Sequence, residues 1–552
     1  MNAHYKRIIK DSEKRTLYML KSQIQEEGPF YGGCMDKEGM VHAKSTIYRM
    51  VTAGAVFCNK DSVYYHDEEV FQAIKRALQY IASVQHENGL FDFVNCNFFS
   101  APDTAFCVKR MLPLLKYLDQ YREGEKEEQI YQALYQIVER GARGLLQGGF
   151  HTPNHRWAIA SNLLDCGQFF KNEQMKEGAW IYLNEGIDCN EDGEFAEKSA
   201  GNYNRINNDA MITIGDVLKD SIYYEYAKKN LEMMLTYIEP DGSIFTANST
   251  RQDNGKVIYP RDYYMEYLDM GYRLDRPEFL DMANYIMELV DEKRLKAPDY
   301  LIHLMNRPEL IALEHEGSWT IKEFNRHYKE SGIVRAHHEN FVYTLMTGKS
   351  GFLYFSNPTM HLEMKIGGSF CEHRAFHAET MEKIEMADGK NVGYQMKQTM
   401  HGWYYLPFKE KQETSDWWKM DNQKRDKICG PDMGIMAEVT ETEHGVDVHI
   451  KTSGVTGAPF RIEMAVRGAD LLWNDQFAIS AKAGDTMILK QGNAIFSNQT
   501  DSLEIGPGFG EHLFIAGKFG SEEKSPYAFT LYFTDYTEFD HVIHIRTGNK
   551  VK

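Results

Sequence analysis

Asn154, His155, Arg156 and Trp157 follow one another directly after Pro153, setting an amide, an imidazole, a guanidinium and an indole side by side. Gly148-Gly149 and Pro153 interrupt the structure before them. Ile159, Leu163, Cys166 and Phe170 then recur at helical spacing, which predicts a helix beginning near His155. A helix N-terminus offers free N–H groups and partial positive charge, so this one suits an anionic ligand. The plain alternative is a capped surface helix with an aromatic beside it. A second constellation, Asp192-Gly193-Glu194-Phe195-Ala196-Glu197-Lys198-Ser199-Ala200-Gly201-Asn202-Tyr203-Asn204, places Tyr203 48 residues beyond His155. Imidazole and phenol can exchange protons with a reacting group, while an amide or guanidinium holds its negative charge.

These residues need a scaffold that brings distant segments to one mouth. Up to about residue 320 the pattern is helical. Val70, Ile74, Leu78 and Ile81 mark one apolar face, and Ile130, Leu134 and Ile137 another. Further helices are expected at 104–120, 173–184, 205–215, 219–237, 262–273 and 278–292. A turn in which Gly is soon followed by Phe recurs at Asn88-Gly89-Leu90-Phe91, Asp192-Gly193-Glu194-Phe195 and Asp241-Gly242-Ser243-Ile244-Phe245. Its spacing fits a unit of about 50 residues, with Gly149-Phe150 near the skipped position. Helical hairpins of that length stack into a ring or a linear solenoid. In a ring, one repeat of separation makes His155 and Tyr203 neighbours across a cleft.

After about residue 330 the texture is that of strands. Residues 435–442 and 446–452 alternate around His444-Gly445 as a hairpin, and 514–519, 527–534 and 541–546 read as strands. Many short strands between turn residues suggest an antiparallel β-sandwich. The expected division is an α/α toroid over 1–325 and a β-sandwich over 330–552, with the boundary in 316–331.

Composition narrows the partners. The chain has 552 residues, 62 Lys and Arg against 80 Asp and Glu, and a net charge of −18. Bulk electrostatics therefore do not favour nucleic acid. The start carries no signal-peptide apolar core and no run has membrane-span length, which makes the cytoplasm the default compartment and leaves no membrane partner. Eight scattered cysteines without a CxxC pair argue against a zinc ribbon or disulfide staples. Oligomeric state is not written in the composition.

Asn154-His155 at a helix start, the Asp-Gly run ending at Tyr203, and a His-bearing strand opening an all-β region resemble the toroid polysaccharide lyases. These are the heparinase II/III-like enzymes and related alginate and uronate lyases. The likeness spans nearly the whole chain. It implies an enzyme that cleaves a 4-linked uronic acid, as in a glycosaminoglycan, by β-elimination to an unsaturated uronate. On that resemblance Asn154 and His155 take the carboxylate-holding and base positions, Tyr203 is the acid/base tyrosine, and His337 or His338 is the β-domain histidine. Arg156 replaces a frequent Gly, Lys198 interrupts a frequent Glu-Gly-Ser, and the usual His-x-His-x-Asp is absent, which marks a divergent member. The chemistry requires removal of the poorly acidic C5 proton, compensation of the carboxylate and a proton for the leaving O4. Positive charge from Arg156, Arg205 or a protonated histidine would lower the tyrosine pKa from its reference of about 10.

The remaining candidates are substrate contacts. Trp157, Glu197, Asn202 and Arg261 belong with this set, as do Asn97 and Asp103 at the entrance of another helix, where Asp103 or Thr104 also fits an N-cap. Arg374 lies in Phe370-Cys371-Glu372-His373-Arg374-Ala375-Phe376-His377. The scheme requires no cofactor; a divalent metal, if bound, would draw on His361, His373 or His377. Adjacent on a strand, His337 and His338 point to opposite faces, so one at most reaches a given cleft. Two rival functions remain: a glycoside hydrolase pairing Asp103 with Asp192 or Glu197, and a glycan-binding protein without turnover.

Overall fold

The computed structural model describes residues 1–149, 151–371, 375–385, 392–516 and 523–549. The chain divides into two compact units, one of residues 1–238 with 242–320 and one of residues 239–241 with 321–552.

The first unit is helical. It opens with α1 (Asn2–Ser22), α2 (Ala43–Cys58) and α3 (Glu68–Val84), then a small hairpin of β1 (Phe91–Phe93) and β2 (Asn97–Ser100). α4 (Ala101–Tyr121), α5 (Glu125–Leu145), α6 (Pro153–Phe169), α7 (Glu173–Leu183), α8 (Tyr203–Leu218) and α9 (Ile222–Leu235) follow. α10 (Tyr264–Arg273), α11 (Pro277–Glu292), α12 (Leu301–Met305) and α13 (Pro308–Ala312) complete it. α2, α4, α6, α8 and α10 each pack on the next, and each is backed by the helix that follows it in sequence. α12 touches α1, α2 and α4 while α13 touches α10, so the last helices meet the first and the ring closes. The fold class read from the sequence is therefore the one observed, and the ring is chosen over the linear solenoid.

Local chemistry explains the helix ends. Asp67 caps α3 by accepting the Val70 N–H at 2.9 Å, and Val70, Ile74, Leu78 and Ile81 on the expected face are buried. α4 begins at Ala101, earlier than expected, because Ser100 and not Asp103 or Thr104 is its N-cap. α8 and α9 are separate because Lys219 takes a left-handed conformation, φ 57°. Gly54 lets α2 approach α4, since a Cβ there would lie 2.5 Å from Leu114 Cδ2.

One turn recurs around the ring. At Asp36–Met40, His86–Leu90 and Asn190–Glu194 the first residue accepts the N–H of the glycine three positions on and donates to the carbonyl after it. Gly39, Gly89, Gly193 and Gly242 share φ between 83° and 92°, a region open chiefly to glycine. Gly149, expected near the skipped position, has φ 138° and does not repeat this turn, and Phe150 lies outside the described residues.

The second unit is built of strands. In chain order they are β3 (Phe324–Tyr328), β4 (Ile333–His338), β5 (Phe341–Met346), β6 (Gly351–Ser356), β7 (His361–Gly368) and β8 (Thr380–Glu385). β9 (Val392–Tyr405), β10 (Lys427–Thr442), β11 (Gly445–Ser453), β12 (Pro459–Arg467), β13 (Leu471–Trp473) and β14 (Ala478–Ser480) come next. β15 (Thr486–Ile488), β16 (Ala494–Ser497), β17 (Asp501–Gly506), β18 (Phe529–Tyr536) and β19 (Asp540–Asn549) end the chain. A nine-stranded sheet runs β14-β13-β16-β17-β19-β11-β10-β9-β8, and an eight-stranded sheet runs β15-β18-β12-β7-β6-β5-β4-β3. Pairing is antiparallel except between β15 and β18. Leu345, Phe355, Met364 and Ile462 of one sheet share a core with Met396, Ala437, Val448 and Ile543 of the other. The hairpin expected around His444 is β10–β11, closed by Thr442 opposite Gly445. Of the strand expected at 514–519, residues 514–516 are irregular and 517–519 lie outside the described residues.

Candidate active site

Pro153 opens α6, where its fixed φ and missing N–H cost nothing, and sets Asn154 in the first turn. Asn154 is fully buried. Its backbone N–H donates to Glu197 Oε2 at 2.9 Å, and Nδ2 lies 2.9 Å from both Glu197 oxygens. Glu197 is also buried; burial lifts its carboxyl pKa above the ordinary value against the pull of the Asn154 bonds. Arg251 Nε lies 3.3 Å from Glu197 Oε1. This corrects the expectation that Asn154 meets a ligand carboxylate, because its donors are already spent on Glu197. It is a positioning residue that ties the α6 N-terminus to the loop before Tyr203.

Tyr203 is the first residue of α8 and is half-buried. Its hydroxyl donates to Gln252 Oε1 at 3.0 Å, and the Arg251 guanidinium lies 5.4 Å from its ring centroid. Asp253, buried, clamps the two loops together: it accepts from Ser199 Oγ at 2.8 Å, Ser249 Oγ at 2.6 Å and the Gly201 N–H at 2.9 Å. Thr250 Oγ1 adds a bond to the Glu197 carbonyl at 2.9 Å. The phenol is thus set by a fixed frame, with a cation beside its ring.

His155 follows Asn154 on α6, with its ring edge-on to Phe106 at 5.9 Å. Burial lowers its pKa, opposed by the nearby Asp103 and aided by His151 and Arg251, so it is neutral at pH 7. A neutral imidazole can accept a proton. On the same Phe106 ring rests the Lys44 ammonium, 5.1 Å from the centroid, and Lys44 pairs with Asp103 at 3.3 Å. Asp103 also accepts from Ser100 Oγ at 2.7 Å.

Arg205 on α8 has no carboxylate within ion-pair distance among the described residues. Tyr300, Asp262 and Glu266 surround it electrostatically. Arg261 holds Asp262 through two bonds of 2.8 and 2.9 Å, which commits both partners. Glu266 is buried, and burial followed by the Asp209 charge pushes its pKa up to about 8. The Asp262 charge thus faces both Arg261 and Arg205, while no carboxylate is hydrogen-bonded to the Arg205 guanidinium among the described residues.

Other expected contacts are placed elsewhere. Trp157 is fully buried with its indole N–H on Asp188 Oδ1 at 2.5 Å, so it is a core residue and not a sugar platform. Arg156 is drawn to the loop after α7, where Nη2 donates to the Gly186 carbonyl and pairs with Glu185 at 3.2 Å. It therefore supplies no free charge to Tyr203. Asn97 is exposed on β2 and donates to Ser100 Oγ at 2.9 Å. Asn202 precedes α8 without a side-chain cap. Arg374 and His373 lie outside the described residues. His361 sits between Ser356 Oγ at 3.0 Å and Asp241 at 3.6 Å, and His377 is exposed. Among the described residues no three His, Cys, Asp or Glu side chains converge as metal ligands.

In the second unit the two histidines of β4 do face opposite ways. His338 turns to the inner side, stacked on Phe341 at 4.6 Å and 3.4 Å from Glu441 of the facing sheet. This inter-sheet tie corrects its assignment as a catalytic candidate. His337 lies on the outer side with Arg335, which is fully buried and donates to Glu239 Oε1 at 2.7 Å. Burial, then the Arg335 charge, pushes the His337 pKa down to about 4. The folded state thus disfavours protonation that the unfolded chain accepts near its ordinary 6.5. Stability contributed by neutral His337 is complete above pH 6.5 and is lost as pH falls toward 4. We expect His337→Phe to flatten the pH dependence of urea unfolding in that window; an unchanged slope would show that other groups carry it.

Sequence reasoning missed Lys44, Arg251, Gln252 and Asp253. A signal existed for one of them, Gln252. Tyr203 stands ten residues after Gly193, and Gln252 ten residues after Gly242, so the turn repeat pairs the phenol with the amide that receives its hydroxyl.

No protein-family model matches the chain, and no curated protein matches its sequence significantly. Among solved structures, a Paenibacillus xanthan lyase aligns over 98% of this chain and 55% of its own, with TM-score 0.56 and 8% identity. The Streptomyces coelicolor A3 chondroitin AC lyase, solved with chondroitin sulphate, aligns over 99% of this chain and 80% of its own, with TM-score 0.53 and 10% identity. This chain therefore spans about half the length of the first and shares the fold of both, toroid then β-sheets.

Proposed function

We propose that this protein is a polysaccharide lyase acting on a 4-linked uronic acid by β-elimination. The observation that carries the reading is Tyr203: a half-buried phenol, fixed at a helix start and flanked by Arg251, on loops hydrogen-bonded to the α6 terminus that bears neutral His155. The shared fold with two lyases supports it, and an anionic glycan suits the Arg205 guanidinium, which has no carboxylate within ion-pair distance among the described residues. In this reading Arg205 holds the substrate carboxylate, a role the sequence suggested for Asn154, and favours charge delocalised from C5. His155 accepts the C5 proton and Tyr203 donates one to the departing O4, so the C4–O4 bond breaks as the C4–C5 double bond forms. Glu197 and Asn154 hold the frame. No step requires a cofactor.

The test is the product. Incubation with a panel of uronate polymers and oligomers should yield an unsaturated uronate absorbing in the ultraviolet. New reducing ends without that absorbance would replace the lyase with a hydrolase, and binding without turnover would replace it with a glycan-binding protein.

A further inference from the structure

β9 and β10 run past the rest of their sheet. β8 pairs with β9 only over 392–397, and β11 pairs with β10 only from Gly434 onward. Between 400 and 433 the two strands pair with each other, forming a two-stranded ribbon with no further strand on either edge among the described residues. Its tip, 406–426, carries short turns at Trp417–Lys419 and Asn422–Lys424. The tip carries exposed rings: Trp418 is 90% exposed and Trp417 54%.

Along one side, rings and cations alternate. The Arg425 guanidinium lies 5.4 Å from the Phe408 centroid and 5.2 Å from that of Tyr405. The Lys427 ammonium lies 5.5 Å from Tyr405 and 4.0 Å from Trp403, and the Trp403 and Tyr405 rings meet edge-on at 4.9 Å. No carboxylate lies within ion-pair distance of Arg425 or Lys427 among the described residues, although Lys409, Lys419 and Lys424 each have one. Residues 403–427 hold six basic and five acidic side chains, a cationic balance in a chain of net charge −18.

We propose that this ribbon is a second glycan-binding site, an arm of the β-strand unit that grips acidic polysaccharide. Aromatic faces pack against the apolar C–H faces of sugar rings, and the interleaved cations meet carboxylates or sulphates. The neighbouring Trp417 and Trp418 at the tip add exposed apolar surface of the kind that marks interaction sites. A second copy of the chain fits less well, because the centres of protein interfaces are depleted in charged residues and eleven of these twenty-five are charged. The acidic nature of the sugar rests on the elimination reading; the presence of a sugar site does not.

The test uses the full chain in affinity electrophoresis through gels containing chondroitin sulphate, xanthan or polygalacturonate, with neutral dextran as control. At least one acidic polymer should retard the parent and Tyr203→Phe alike. Lys427→Glu and Trp403→Ala should each weaken retardation by about tenfold, while turnover of short uronate oligomers stays within about twofold of the parent. Retention intact in both arm variants would overturn the proposal, as would a parent that no acidic polymer retards. A parent dimer made monomeric by the arm variants, without change in retardation, would make the ribbon an interface between copies. Retardation without ultraviolet-absorbing product would sink the elimination reading and leave the arm standing.

Discussion

Replacing Tyr203 with Phe is expected to abolish elimination while leaving the protein folded. The substitution removes one hydroxyl and keeps the ring under Arg251. The stability at risk is the bond to Gln252, typically about 0.5–1.5 kcal/mol. The proton transfer at risk is commonly worth about 10²–10⁴ in rate. These magnitudes separate the two roles cleanly. Thermal unfolding should move by a few degrees at most, the KM for a uronate oligomer should be similar, and kcat should fall by at least about a hundredfold. Activity within a few-fold of the parent on a confirmed substrate would make Tyr203 a structural tyrosine and remove the centre of the proposed mechanism.

Asn154→Ala should instead act on stability and turnover together. It strips Glu197 of two charge-assisted hydrogen bonds while leaving the carboxyl buried. Bonds to a charged group are worth about 1.5–3 kcal/mol each, and the buried carboxylate is left with only the residue-154 backbone N–H and Arg251. The urea midpoint should therefore drop, and kcat should fall as the Glu197 frame around Arg251 and Tyr203 loosens. Glu197→Gln in the same chain removes the under-partnered charge, so the two substitutions should be non-additive, the double variant losing less than the sum of the singles. If Asn154→Ala raises KM with no change in the urea midpoint, Asn154 contacts the ligand, as the sequence alone suggested.

That difference shows what the sequence could and could not reveal. Periodic apolar residues such as Val70, Ile74, Leu78 and Ile81 announce a helix and its buried face, and Gly-bearing turns announce the repeat. Both signals are local, so the helical ring and the β-region after it were legible. Which way a side chain points at a helix mouth is decided by partners far along the chain. Asn154 turns to Glu197 and Trp157 to Asp188, each because a buried polar group must be satisfied by whatever the fold brings near, and Arg156 reaches the exposed 185–186 loop. Tyr203 and His155 were legible because their chemistry stood out at one-repeat spacing. Arg251 and Gln252 were hidden in a polar loop whose composition is that of any turn. His337 and His338 followed strand alternation, but which one faced inward depended on Glu441, about a hundred residues away.

The recurring glycine turn also bears on how such a site can change over time. Two successive copies deliver their tenth following residues to one contact, Tyr203 from one and Gln252 from the next. The backbone that presents these groups is maintained by the glycine turn and by the Asp253 and Thr250 bonds between the loops, not by the side chains presented. Mutation at the presented positions therefore meets little resistance from folding, and new combinations of acid, base and anchor can be sampled between neighbouring copies. A duplicated hairpin brings a ready-made vacancy for chemistry, which makes the ring a scaffold on which activity can drift while architecture stays fixed.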